Sequence, residues 1–139
     1  MSISNDFTPA VVDIVVPQGS DTAEFFQLWS DDAHTIPLNL TGLTANQQIR
    51  QSYMARKVLI DMSSTNGRIM LGAKLLNGEI VADSPANGGV ALFYKHEDTT
   101  AIKMLEDSID CVRDLELTDG LIVKRLLQGT VTFTREVTR

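Results

Sequence analysis

The stretch "DCVRDLELTDGLIVKRLLQGTVTFT", residues 110–134, decides the fold. Its first half alternates: Cys111, Arg113, Leu115 and Leu117 fall on one face, and Val112, Asp114 and Glu116 on the other. A two-residue period belongs to a half-buried strand. Asp119-Gly120 supplies turn chemistry, and residues 121–127 return. Two such runs around Asp-Gly read as a β-hairpin. Gly129 lets the returning strand bend or bulge. Beyond it Val131 and Phe133 face one way, and Thr130, Thr132 and Thr134 the other.

Working outward, the rest of the chain repeats this theme. Residues 11–16 are rich in β-branched side chains and stop at Pro17 and Gly19. Residues 22–29, 47–51, 57–62, 68–71, 79–82 and 90–94 read as further strands, separated by Gly, Pro, Asn and Ser. Asn66-Gly67 carries the strongest hairpin signal, and Asn77-Gly78 repeats it. Pro37 makes residues 36–42 an edge or a connector. One short helix is expected over residues 98–105, with Ile102 and Leu105 on one face. Many short strands with turns between them indicate an all-β sandwich or barrel. Val12, Ile14, Leu59, Leu92, Leu115, Ile122 and Val131 are the expected core.

The chain has 139 residues, enough for one domain that buries its own core. Residues 1–10 show no periodicity and read as an N-terminal arm, and residues 11–139 as the folded domain. The net charge of −6 argues against nucleic acid and anionic membranes, which call for a basic face. No apolar run approaches the ~20 residues of a membrane span. The start, MSISNDFTPA, lacks a basic-then-apolar leader, so no secretory signal is expected. The single cysteine, Cys111, has no partner for an internal disulfide and sits on an apolar face, as a small buried hydrophobe does.

Catalytic motifs are missing: no phosphate-binding glycine loop, no dinucleotide fingerprint, no nucleophile elbow. His34 and His96 lie in polar stretches without the spacing of metal ligands. The pairs Asp31-Asp32, Glu97-Asp98 and Glu106-Asp107 lack the glycine and distal glutamate of a calcium loop. No enzyme activity, metal, cofactor or small-molecule substrate is expected. Neighbouring Phe25 and Phe26 must face opposite ways on a regular strand. The reading puts Phe25 and Trp29 on the core face, so that either Phe26 is exposed or both faces of this strand are covered.

Three stretches, "IPLNLTGLTANQQIR", "DCVRDLELTDGLIVKRLLQGTV" and "REVTR", resemble the immunoglobulin-like β-sandwich domains of tailed-phage virion proteins. These are modules of baseplate, tail-tip and fibre-attachment proteins, including the N-terminal domain of baseplate upper proteins. Residues 38–42 match that pattern's "pxdLTG", residues 48–50 its "a-x-I-R" strand, residues 114–116 its Tyr-x-Tyr-Asp strand, and residues 126–139 its Leu-Leu-to-Val-Thr-Arg ending. Cys111 and Arg113 stand near where the family carries aromatics, and residues 63–91 form a longer middle with an additional hairpin.

The resemblance implies an antiparallel sandwich in a structural subunit of a phage tail, located in the virion after synthesis in the host cytoplasm. Its partners would be other virion proteins, as a homo- or hetero-oligomer. Met1, Ser2, Ile3, Phe7, Phe26 and Trp29 are the expected protein-interface residues. The alternatives are a neck or capsid-surface protein, and a carbohydrate-binding adhesion module using Trp29 with Asp31 and Asp32. The domain is expected to be the whole protein.

Overall fold

The structure is a computed structural model and describes residues 10–135. Its strands are β1 (Ala10–Val11), β2 (Ile14–Pro17), β3 (Thr22–Gln27), β4 (Thr44–Arg50), β5 (Ile60–Ser63) and β6 (Ile69–Leu71). β7 (Ala73–Leu76), β8 (Glu79–Ala82), β9 (Gly89–Tyr94), β10 (Ser108–Thr118) and β11 (Val123–Thr134) complete them. A 3-10 turn spans Pro85–Asn87, and a short helix, α1, spans His96–Thr100. One sheet runs β1-β11-β10-β4-β5, with β2 also on β11; the other runs β3-β9-β6. β7 and β8 form a separate hairpin.

This is an all-β sandwich with immunoglobulin-like strand order. In a variable-type immunoglobulin domain one sheet contains strands G, F, C and C′, and the other contains B, E and D. Here β11, β10, β4 and β5 take the first set of places, and β3, β9 and β6 the second. The sheets are antiparallel except at one edge, where β1 and β2 run parallel to β11. Val16, Ile49, Met62, Val90, Leu92, Leu115, Val131 and Phe133 meet between the layers.

The hairpin of β10 and β11 forms as its alternation dictates. Cys111, Arg113, Leu115 and Leu117 are all buried, and so are Val131 and Phe133. The register shifts by one residue, with Leu115 opposite Leu127 but Glu116 opposite Arg125. Leu126 is therefore the extra residue of a β-bulge, and both Leu126 and Leu127 turn inward. Gly129 is the second irregularity: a Cβ there would stand 2.1 Å from the Val12 carbonyl oxygen, so only glycine lets β1 and β2 lie this close to β11. At Asn77-Gly78 both residues take positive φ, as a two-residue hairpin turn requires.

Several expectations need correction. Asn66-Gly67 does not close a hairpin: β5 pairs with β4 in one sheet, while β6 pairs with β9 in the other, so this turn crosses between layers. Ile122, expected in the core, is 39% exposed. It belongs to a four-residue loop between Thr118 and its partner Val123, beyond the end of the covered sheet. The helix is one turn, starting two residues early, and Leu105 is 97% exposed. Gln18 explains where it stops. Its side-chain amide donates to the carbonyls of Thr99 and Ile102, taking up carbonyls at the end of the turn. Leu92, Leu115 and Val131 are buried as expected; Val12, Ile14 and Leu59 pack against the core at its margin.

Burial pushes the Cys111 thiol up to about 11, with Asp110 adding to the effect. The thiolate is the reactive form. Native protein at pH 8 is therefore expected to resist an aromatic disulfide reagent, and to react fully once unfolded in denaturant. Rapid labelling of the native state would mean the strand opens.

Candidate interaction surfaces

The core carries a polar cluster that joins the two sheets. Arg113, on β10, has a side chain with no exposure, and Glu24, on β3, one that is 10% exposed. Arg113 donates from Nη2 to Glu24 Oε2 at 3.0 Å and to the Val12 carbonyl at 2.9 Å, and from Nη1 to Glu24 Oε1 and the Tyr94 hydroxyl. Tyr94 in turn donates to Glu24 at 2.6 Å and accepts from Gln47 Nε2 at 3.1 Å. Burial and the neighbouring Glu24 carboxylate push the Tyr94 hydroxyl well above its ordinary range, so it stays a neutral donor. Glu24 and Arg113 sit on strands equivalent to B and F, which a disulfide joins in antibody domains.

The Glu24 orientation fixes the faces of β3. Glu24 lies opposite Leu92 and Phe26 opposite Val90, and cross-strand partners share a face. Phe26 therefore points inward and packs against the core, which reverses the expected assignment. Phe25, opposite Ala91, takes the other face, where it is half-buried. The sequence pattern could not settle this, because a charged residue two positions before Phe26 reads as outward.

Phe26 also lines an apolar groove of about 360 Å³ between the sheets. Val12, Leu28, Leu115, Leu126 and Leu127 form its walls, with Ala10 at one side. The groove opens beside β3, whose sole neighbour among the described strands is β9. Leu126 reaches it because of the bulge, a detail that alternation alone would have missed. Leu115→Ala is expected to destabilise the protein by about 2–3 kcal/mol, the lower part of the range for a buried leucine, since the void opens into this groove. Chemical denaturation measures it; a loss under half a kcal/mol would show that Leu115 does not support the seam.

A second, polar cleft of about 450 Å³ lies on the outer face of β4 and β10. Asn46, Gln48, Arg50, Asp114 and Glu116 line it, with exposed Tyr53 at the rim. Arg50 is held in place by the carbonyls of Ala55 and Arg56 and by Gln48.

Trp29, expected on the core face, is instead half-buried outside the core cluster, stacked on His34 with ring centroids 5.6 Å apart. Asp31 holds this loop closed by accepting from the backbone of Thr35 and Ile36. Those bonds, the Thr35 hydroxyl first, keep its carboxyl below the usual range. Met1, Ser2, Ile3 and Phe7 lie outside the described residues, as do residues 136–139 of the terminal motif. Among the described residues, no three His, Cys, Asp or Glu side chains are grouped to hold a metal ion. No helix there is long and apolar enough to cross a membrane.

His96 makes two exposed ion pairs, with Nδ1 3.0 Å from Asp21 Oδ1 and Nε2 3.4 Å from Glu97 Oε2. Its hydrogen bond to Asp21 raises the imidazole above its ordinary 6.5, and Glu97 adds to this. A raised folded value means the pairing stabilises fully below the unfolded pKa and is lost as pH rises through the folded one. Both groups are exposed, so the effect on stability is small. Nuclear magnetic resonance titration should place the His96 midpoint above 6.5, and Asp21→Asn should lower it; a midpoint unchanged by the substitution would refute the pairing.

No protein-family model matches the chain, and no curated protein matches it. Among solved structures it is similar to AggA, the major subunit of aggregative adherence fimbriae type I from Escherichia coli. That likeness covers 93% of this chain and 91% of AggA, at 10% identity and a TM-score of 0.33.

Proposed function

We propose that this chain is a non-catalytic structural subunit of a bacteriophage tail, placed in the baseplate or at a fibre-attachment point. It works by contact with other virion proteins. The three motif stretches, which resemble tailed-phage sandwich modules, give the reading its virion setting. The observation that carries it is the open seam: an apolar groove beside a sheet edge that has no partner strand among the described residues. Such an edge is a liability in a free monomer and a docking site in an assembly. Mass spectrometry of density-purified particles, with immunogold microscopy, tests this. The protein should be present at fixed stoichiometry, with label on the tail. Label on the neck or capsid would move it to the alternative site, and absence from complete particles would overturn the reading.

A second reading, a glycan-binding adhesion module, is favoured by the cleft of β4 and β10, where exposed Tyr53 stands beside amides and carboxylates. It does not use Trp29 and Asp31, whose side chains are engaged within their own loop. Glycan-array binding abolished by Tyr53→Ala would support it; an array with no signal would remove it.

A further inference from the structure

The apolar groove and the free edge of β3 form one continuous site. Immunoglobulin sandwiches place strand A on that edge, next to strand B. Here β1 and β2 lie on β11 in the opposite sheet, and among the described residues no strand pairs with the outer edge of β3. Isolated edges are normally guarded by outward charge, proline or bulges. β3 reads Thr-Ala-Glu-Phe-Phe-Gln, and its one charge, Glu24, is already paired inward with Arg113. Among the described residues, no outward charge, proline or bulge of β3 opposes pairing with another strand.

The chain contains a segment of suitable length. Residues 1–9 read MSISNDFTP; Asn5 breaks any full alternation, but Met1, Ile3 and Phe7 all fall at odd positions. As an added strand they would present these side chains to one face, and residues 1–7 would span roughly 23 Å at about 3.3 Å per residue. The six residues of β3 need roughly 20 Å. Ala10 is already paired with Leu127, in the sheet opposite β3. It also lies beside the far end of β3, next to Phe26 and Leu28. Residues 1–9 of the same chain would have to cross the groove and double back to lie along β3. The same residues from a neighbouring copy need no such reversal.

We propose that residues 1–9 of one copy add as a strand to the β3 edge of a second copy, seating Ile3 and Phe7 in the groove formed with Leu28, Leu126 and Leu127. This deepens the assembly reading above and rests on it. The contact is head-to-tail, so it propagates through further copies or closes into a ring.

The test uses the full-length purified chain. Light scattering after size-exclusion chromatography should show self-association above a monomer. Ile3→Asp with Phe7→Asp should abolish it while leaving the circular dichroism unchanged. Benzoylphenylalanine at position 7, irradiated in a mixture of isotopically heavy and light chains, should join to peptides containing residues 22–28 or 126–127 of the other isotope. Cross-links confined to a single chain, or a monomer at all concentrations, would overturn the proposal. Particle mass spectrometry separates this from the broader reading. A protein found in the tail yet monomeric in solution, without mixed-isotope cross-links, removes the strand exchange and leaves the tail assignment standing.

Discussion

Glu24→Ala is expected to destabilise the protein by about 3–5 kcal/mol, the usual cost of breaking one side of a buried ion pair. The substitution would leave the Arg113 guanidinium in the core with only the Tyr94 hydroxyl and the Val12 carbonyl as partners. An arginine cannot lose its charge to escape the penalty. Denaturant unfolding measures the loss, and an unchanged slope would confirm that the transition keeps the same exposed surface. Replacing both residues, Glu24→Leu with Arg113→Met, should restore stability to near wild type or above, because hydrophobic replacements of a buried pair are often neutral or stabilising. A loss below 1 kcal/mol for Glu24→Ala would mean that Arg113 reaches water.

The double replacement also separates stability from geometry. Glu24 lies on β3, Arg113 on β10, Tyr94 on β9 and Gln47 on β4, so the cluster ties together both sheets. Its bonds have direction, whereas leucine contacts tolerate sliding. If the cluster sets the alignment of the sheets, the double variant should keep its stability while its amide spectrum shows line broadening along β3. That strand also bears the free edge on which the proposed assembly depends.

The sequence made the β10 and β11 hairpin legible because both strands are long, alternate cleanly and meet at Asp-Gly. Placing Arg113 on the inward face followed from the same alternation. Its partner did not, because Glu24 lies 89 residues away and no local signal links the two. Placing Phe25 on the core face is the consequence. Once Glu24 is known to be buried, the face of Phe26 follows from period two alone. Asn66-Gly67 misled for a related reason: turn chemistry reports that the chain reverses, but not whether the next strand joins the same sheet. Of the candidate site, the unusual composition of β3 was visible, but the groove was not. It needs the one-residue bulge at Leu126 and the parallel placement of β1, and neither leaves a mark in hydrophobic spacing.

Phe133→Ala is expected to cost about 3–5 kcal/mol, the range for truncating a buried phenylalanine. Phe133 has no solvent exposure and lies near the end of β11. It pairs across to Ile109 on β10 on one side and to Val16 on β2 on the other. Val16 is itself fully buried, so the ring joins the last described strand to one of the first. Loss of the ring should therefore weaken the parallel edge before the rest of the sheet. Amide exchange can show this: protection should fall first at Val16 and Gln18, whose backbones sit beside β11, and last along β4. The order matters for assembly, since loosening β1 and β2 would also distort the groove wall formed by Ala10 and Val12. A Phe133→Ala protein that unfolds within 1 kcal/mol of wild type, with protection at Val16 intact, would show that β11 is held by its ladder to β10 alone.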